Sequence, residues 1–140
     1  MDRVLCLSAE QRQQIAEWAA SAYPHEGCGL LLGRGDGRET RVVAVRPARN
    51  IRTERARDRY EIDPADYLAA ETAASDAGIE VVGIWHSHPD HPARPSPTDR
   101  ESAWAGWSYL IAAVAAGDVT EMRSWRLDGD GCFEEEEIRS

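Results

Sequence analysis

Three short, largely apolar runs, each bounded by turn residues, carry the strongest fold signal in this sequence. They are Gly29–Gly33, Glu80–Trp85 and Tyr109–Ala116. Runs of this length are typical of buried strands. Gly35-Asp36-Gly37 supplies turn residues between the first run and Thr40–Val45. These two segments are therefore predicted to form a β-hairpin.

Helix signals alternate with these strands. Ser8-Ala9-Glu10-Gln11 has the form of a capping box, and the helix that follows is predicted to end near Tyr23-Pro24. Asp63-Pro64 is typical of a helix start, with Gly78 at the matching C-terminal cap, and Ser96-Pro97 starts a third helix. The closing strands are predicted at Trp107–Ala115, Val119–Leu127 and Cys132–Ile138. A chain of 140 residues can bury one core but not two, so we expect a single α/β domain over residues 1–140, built around a mixed sheet.

Composition argues against several classes of protein. The net charge of −9 makes general nucleic-acid binding a poor expectation. No stretch approaches 18 consecutive apolar residues, so we expect no membrane span. The first residues lack the pattern of a signal peptide, and a cytoplasmic location is predicted. The three cysteines, Cys6, Cys28 and Cys132, are odd in number and have no paired spacing, so neither a disulfide framework nor a cysteine-based zinc site follows.

Positive charge is concentrated in one part of the chain. All sixteen basic residues are arginine, and Arg34–Arg59 holds nine of them against four acids, a local net charge of +5. Arg46–Arg59 has no usable periodicity and is predicted to be a long loop. Two interpretations of this loop stay open. It either binds an acidic partner or an extended tail, or it is a solvated segment whose arginines pair with nearby acids.

The chemistry is concentrated in His86-Ser87-His88-Pro89, followed after six residues by Ser96-Pro97-Thr98-Asp99. His86 and His88 are two residues apart at a strand end, so they point to the same side. A loop stiffened by prolines can bring Asp99 back to the same point. Two imidazoles and one carboxylate leave a fourth tetrahedral position open for water, which is the arrangement of a hydrolytic zinc site. Zinc lowers the pKa of its bound water to about 7.

Each of these residues also has a purely structural interpretation. His86 could bond to a carbonyl at a strand end, while Ser96 and Asp99 match the capping pattern of a helix start. A hydrolase also needs a general base, and fourteen glutamates are available. Glu26 is the best placed, because a strand at Gly29–Gly33 that runs beside Val81–Trp85 would set Glu26 next to the two histidines. A surface glutamate is the alternative.

The complete pattern, Glu26 with His86-Ser87-His88-Pro89-x6-Ser96-x2-Asp99, resembles the JAMM (JAB1/MPN+) zinc metallopeptidases. Pro24–Gly33, Arg59–Pro64 and Pro95–Arg100 resemble the small stand-alone bacterial members of that family. Those members include peptidases that remove cysteine from the sulfur carrier CysO, and proteases that trim a sulfur-carrier tail to its Gly-Gly end.

The resemblance implies a JAB/MPN domain with a cytidine-deaminase-like α-β-α arrangement and one Zn²⁺ per chain. It implies His86, His88 and Asp99 as the metal ligands, Glu26 as the general base, and Ser96 as a hydrogen-bond donor to the oxyanion. The implied substrate is the C-terminal Gly-Gly tail of a ubiquitin-like β-grasp sulfur carrier.

Further predictions and alternatives follow from this resemblance. The Arg46–Arg59 loop is predicted to border the substrate groove, with Arg52 and Arg55 holding the acidic carrier or the product carboxylate. Neither a nucleic acid nor a membrane is expected as a partner, and a homodimer through a sheet edge stays open. The alternative functions are a deconjugating isopeptidase for a bacterial ubiquitin-like modifier, a RadC-like protein of nucleic-acid metabolism, a non-catalytic MPN interaction module, and a Ser-His-Asp hydrolase built on Ser87 or Ser96.

Overall fold

The computed structural model describes residues 3–56 and 58–140. Met1, Asp2 and Arg57 lie outside the described residues. Met1 and Asp2 belong to the N-terminal segment that was examined for a signal peptide, and Arg57 belongs to the predicted arginine-rich loop. The elements in chain order are β1 (Val4–Cys6), α1 (Ala9–Ala22), β2 (Cys28–Gly35), β3 (Glu39–Ala48), α2 (Pro64–Asp76), β4 (Glu80–Pro89), α3 (Pro97–Ser102), β5 (Ser108–Ala115), β6 (Asp118–Leu127) and β7 (Phe133–Arg139).

The helix ends follow from their capping residues. The Ser8 hydroxyl accepts from the Gln11 N–H, and the Gln11 side chain accepts from the Ser8 N–H, so α1 begins with a complete capping box. Asp63 caps α2, which starts at Pro64, and Gly78 has a φ of +72°, a left-handed conformation that glycine adopts without a steric penalty. No helix in the described part of the chain is long and apolar enough to cross a membrane.

The strands form one mixed sheet in the order β1-β3-β2-β4-β5-β6-β7. β1 pairs in parallel with both β3 and β7, which closes the sheet into a barrel. β4 and β5 are also parallel, and the other neighbours are antiparallel. The predicted α/β fold with a mixed sheet is confirmed. Its closure was not predicted, because β1 has only three residues and shows no measurable periodicity.

The two longer helices cover opposite faces of the sheet. α1 packs against a core that contains Leu31, Trp85 and Leu110. α2 packs against Leu30 and Leu32, the residues that alternate with Leu31 along β2. The sheet therefore lies between two helical layers, as the predicted α-β-α arrangement requires.

The register of β2 against β4 brings the predicted site residues together. The two strands are antiparallel with Cys28 opposite His86, so Glu26, which comes just before β2, lies at the level of His88. The prediction that this strand ends at Trp85 is wrong: β4 continues to Pro89, because β5 pairs with it in parallel as far as Val114. His86 and His88 still lie on one face, since alternate residues of a strand do so.

The arginine-rich segment is shorter as a loop than the sequence predicts. β3 extends through Ala48, so Arg46 lies in a strand and the loop starts after it. Its first residue, Arg49, pairs with Asp63 at 2.8 Å and with Asp66 at 3.3 Å, which ties the loop to the start of α2.

Candidate metal centre and active site

Four ionisable side chains from three parts of the chain form one buried cluster. Glu26 is 3% exposed, His86 0%, His88 7% and Asp99 9%. The Asp99 carboxylate approaches Nε2 of both histidines, at 3.1 Å for His88 and 3.8 Å for His86. Glu26 lies on the other side of His86, with Oε1 at 3.1 Å from Nδ1. Glu26, His86 and His88 each offer one ligand atom, and these three atoms lie within 4.8 Å of one another.

The hydrogen bonds fix which ring nitrogens carry protons. Nδ1 of His88 lies 2.9 Å from the Pro92 carbonyl oxygen, which can only accept, so Nδ1 donates, and Nε2 is the nitrogen available to a metal. The Glu26 carboxylate accepts from Nδ1 of His86 in the same way. In a neutral imidazole the lone pair is then on Nε2, the atom of each ring that faces Asp99, and a cation between these groups would be bound by all three. An imidazole whose far nitrogen is held by a carbonyl or carboxylate is the usual form of a metal-ligating histidine.

These residues fit a divalent metal such as zinc. Nε2 of His86 is buried and has no hydrogen-bond partner among the described residues, which is costly unless another group supplies the missing interaction. Two nitrogens and one carboxylate are a donor set that zinc accepts, with a fourth position left for water or substrate. Glu26 offers an alternative carboxylate ligand to the same two histidines.

The electrostatics of the cluster agree with a cation site. Burial raises the pKa of Asp99, but the two histidines and the backbone N–H of Ser96 outweigh it and lower the pKa to about 2. Burial lowers the pKa of His88, but the neighbouring Asp99 carboxylate and the Pro92 carbonyl, which favour the protonated ring, outweigh that effect and raise it. The Asp99 carboxylate is therefore ionised at neutral pH, which is the form that binds zinc.

Ser96 and Asp99 have the capping role that the sequence allows for them. The Ser96 hydroxyl accepts from the Asp99 N–H at 3.1 Å, and the Ser96 N–H donates to Asp99 Oδ2 at 2.8 Å. This capping box turns the Asp99 carboxylate toward the histidines. The hydroxyl accepts through a lone pair, so its own proton can still be donated, and capping does not conflict with the predicted oxyanion role.

The backbone around Glu26 is held from both sides. Its N–H donates to the Ala56 carbonyl at 2.6 Å, and its carbonyl accepts from Asn50 Nδ2 at 3.1 Å. The next residue, Gly27, donates its N–H to the Ser87 hydroxyl at 2.7 Å. The middle serine of the histidine motif, Ser87, therefore fixes the segment just before β2 that carries Glu26.

Two residues that support the site were missed by the sequence analysis. Tyr60 stacks on His86, with ring centroids 4.5 Å apart and planes 23° apart, and burial raises its pKa well above the usual value. Asn50 bonds to the carbonyls of Glu26 and Arg59 and accepts from the N–H groups of Arg52 and Glu61. Tyr60 lies in the segment Arg59–Pro64 that carries the family resemblance, which is the signal that could have found it.

One pocket borders the cluster, and a second is lined by the chain neighbours of Glu26 and His88. One, of about 580 Å³, includes Tyr60 and Asp99 in its wall. The other, of about 810 Å³, is lined by polar residues that include Arg52 and Arg55. Arg55 pairs with Asp58 at 2.6 Å, and Arg52 is 3.9 Å from Glu61. The arginines predicted to bind substrate thus line a pocket, while their charges are partly paired within the chain.

A family model described as prokaryotic homologs of the JAB domain matches residues 8–128. The chain belongs to this prokaryotic JAB family. The resemblance to the JAMM metallopeptidases is therefore confirmed, and so is the JAB/MPN fold.

Named relatives cover most of the JAB-family chain. It is 41% identical over 114 residues to a desampylase of Haloferax volcanii, with 78% of this chain and 80% of the relative covered. It is 31% identical over 137 residues to the CysO-cysteine peptidase of Mycobacterium tuberculosis, covering 96% of this chain and 90% of the relative. The solution structure of protein DSY2949 from Desulfitobacterium hafniense superposes with a TM-score of 0.82 at 33% identity, covering 96% and 90%. The prediction of a peptidase of this family is confirmed, while the individual residue roles stay predictions.

Proposed function

We propose that this JAB-family chain is a zinc-dependent peptidase that hydrolyses the amide bond after the Gly-Gly tail of a ubiquitin-like sulfur carrier. The observation that carries the proposal is the convergence of His86 Nε2 and His88 Nε2 on the Asp99 carboxylate, with Glu26 buried beside them. One relative, of which this chain covers 90%, is named CysO-cysteine peptidase. That name supports a sulfur carrier as the substrate.

In this proposal His86, His88 and Asp99 hold one Zn²⁺ per chain. When bound, zinc polarises the scissile carbonyl and lowers the pKa of the attacking water. Glu26 takes the proton of that water and returns it to the leaving amine, because a carboxylate oxygen lies within 4.8 Å of a ring nitrogen of each histidine. The Ser96 hydroxyl donates to the carbonyl oxygen as negative charge develops there.

The arginine-lined pocket is assigned to the carrier side of the bond. Arg52 and Arg55 lie at its wall, beside His25 and Pro89, the neighbours of Glu26 and His88. An acidic carrier would compete with Asp58 and Glu61 for these two arginines, and the attraction would raise the rate of encounter. The cytoplasmic location, the single domain over residues 1–140 and a homodimer stay predictions from the sequence.

The experiment is intact-mass spectrometry of a β-grasp sulfur carrier that ends in Gly-Gly-Cys or in Gly-Gly with a short extension. The zinc-loaded protein is incubated with each carrier, beside a Glu26→Gln control. We expect a product that ends at Gly-Gly with the wild type and none with the control. Intact carrier after incubation with zinc-loaded wild type would contradict the proposal.

A second candidate substrate is a protein conjugated to a ubiquitin-like modifier. The similarity to a desampylase at 41% identity favours it, since both substrates present a Gly-Gly tail to the same site. The same assay with an isopeptide-linked carrier distinguishes the two, because deconjugation releases the carrier and the free target protein as separate masses.

A further inference from the structure

The pocket of about 580 Å³ beside the metal cluster has a wall of a distinct chemical kind. Its apolar and aromatic lining includes Tyr60, Ile62, Tyr67, Ile84, Trp104 and Trp107. We call it the aromatic pocket. Its volume lies within the roughly 300–1,000 Å³ that small-ligand sites occupy. None of the catalytic roles proposed above uses it.

The aromatic pocket is continuous with the proposed reaction centre. Asp99, a member of the buried cluster, also lines the pocket. Tyr60 forms another part of the wall while its ring stacks on His86. A substrate whose scissile carbonyl lies at the cluster therefore has a neighbouring group at the mouth of this pocket.

The indole rings of the pocket are arranged as a binding surface and not as a filled core. Trp104 is 69% exposed, and its backbone N–H is fixed by the Tyr109 hydroxyl at 2.6 Å. Trp107 lies between Trp104 and Tyr67, with ring centroids 6.3 Å from each and tilted planes. Exposing this much aromatic surface is unfavourable in water, and tryptophans in such positions commonly anchor a ligand.

The proposed substrate limits what can enter. The two residues before the scissile bond are glycines and have no side chains. An extended chain advances about 3.3–3.6 Å per residue, so the third residue before the bond starts about 10 Å away. The side chain nearest to the scissile bond is therefore that of the first residue of the leaving group. The pocket that contains Arg52 and Arg55 is lined by other residues than the aromatic pocket, and the proposed function assigns it to the carrier.

We propose that the aromatic pocket is the leaving-group subsite, and that it takes a bulky apolar or aromatic side chain on the first residue after Gly-Gly. The inference rests on the proposed function and adds the identity of the preferred leaving residue. A cysteine side chain is too small to fill a pocket of this size. The chain should thus favour extensions that begin with leucine or tryptophan over cysteine or glycine.

The test compares carriers whose extension begins with tryptophan, leucine, cysteine or glycine. We expect kcat/KM for leucine and tryptophan to exceed that for glycine by about 10- to 100-fold, the range that one apolar side chain in a pocket supplies. Trp107→Ala should reduce this preference to about threefold or less. Leu68→Ala is the control, since Leu68 is 61% exposed on α2 and does not line the pocket.

Trp104→Ala is a second variant that keeps the test decisive if Trp107→Ala fails to fold, because the Trp104 side chain is largely exposed. It should weaken the preference in the same direction. Equal cleavage of all four extensions, or a preference that survives both variants, would overturn the subsite while leaving the proposed function intact. If zinc-loaded wild type cleaves none of the carriers, the proposed function and the subsite both fail.

Discussion

The removal of the Asn50 side chain tests whether the arginine-rich loop positions Glu26, the proposed general base. Its amide makes four hydrogen bonds, two donated to the carbonyls of Glu26 and Arg59 and two accepted from Arg52 and Glu61. Each contributes about 0.5–1.5 kcal/mol net, and water replaces part of this at a half-buried site. Asn50→Ala should therefore lower the free energy of unfolding by about 2–3 kcal/mol, or roughly 5–10 °C in Tm.

The same substitution should affect turnover more than binding. Without the bond from Asn50, the carbonyl of Glu26 loses one of its fixed partners, and small displacements of a catalytic group are costly in rate. We expect kcat to fall about 10- to 100-fold with KM for the carrier nearly unchanged. Urea denaturation and steady-state kinetics measure the two effects. Gln13→Ala is the matched control, because the Gln13 amide donates to the exposed Glu17 side chain on the same helix and contacts neither the loop nor Glu26 among the described residues.

The reasoning fails if Asn50→Ala loses less than about 0.5 kcal/mol of stability and turns over at the wild-type rate. A variant that is destabilised but keeps its kcat would leave Asn50 with a structural role only. A higher KM with unchanged kcat would mean that Asn50 acts on the arginines of the loop and not on Glu26.

Three other predictions concern the core, the thiols and the loop. Arg126→Met leaves a buried glutamate on β7 without its cation, 3.1 Å away in the wild type, and should cost about 3–5 kcal/mol in urea denaturation; a loss below about 1 kcal/mol would contradict this. Burial raises the pKa of Cys28 to about 12, so iodoacetamide at pH 8 should label the exposed Cys132 and spare Cys28, as peptide mapping would show. Because the unfolded thiol ionises near pH 9, this group stabilises the fold below that pH and the contribution is lost as pH rises toward 12. Reversing the charges of Arg52 and Arg55 to glutamate should raise KM for the carrier about tenfold at low salt and less at high salt, and an unchanged KM would count against their role.

The site was predictable where it depends on short spacings. His86 and His88 share a face because they are two residues apart in a strand, whichever residue ends that strand. Asp99 comes back to them through a capping box whose residues are three apart. The place of Glu26 needed one further assumption, that its strand runs beside β4, and the register of Cys28 opposite His86 agrees with it.

Contacts over long sequence separations could not be read in this way. Asn50 contacts Glu26 across 24 residues, and nothing in its neighbours indicates the partner. Glu136 lies in a run of four glutamates that is typical of an exposed segment, but β7 alternates its side chains and turns this one inward to Arg126. Charge patterns alone do not show which member of such a run meets a buried partner on another strand.

The most direct test of the catalytic account is the zinc content of three purified proteins, measured by inductively coupled plasma mass spectrometry. The account predicts one zinc per chain in the wild type and in Glu26→Gln, and a large loss in Asp99→Asn, because Asp99 is a ligand and Glu26 handles the proton. The opposite pattern, with zinc lost from Glu26→Gln and kept by Asp99→Asn, would exchange the roles of the two carboxylates. A wild type that binds no zinc would contradict the account as a whole.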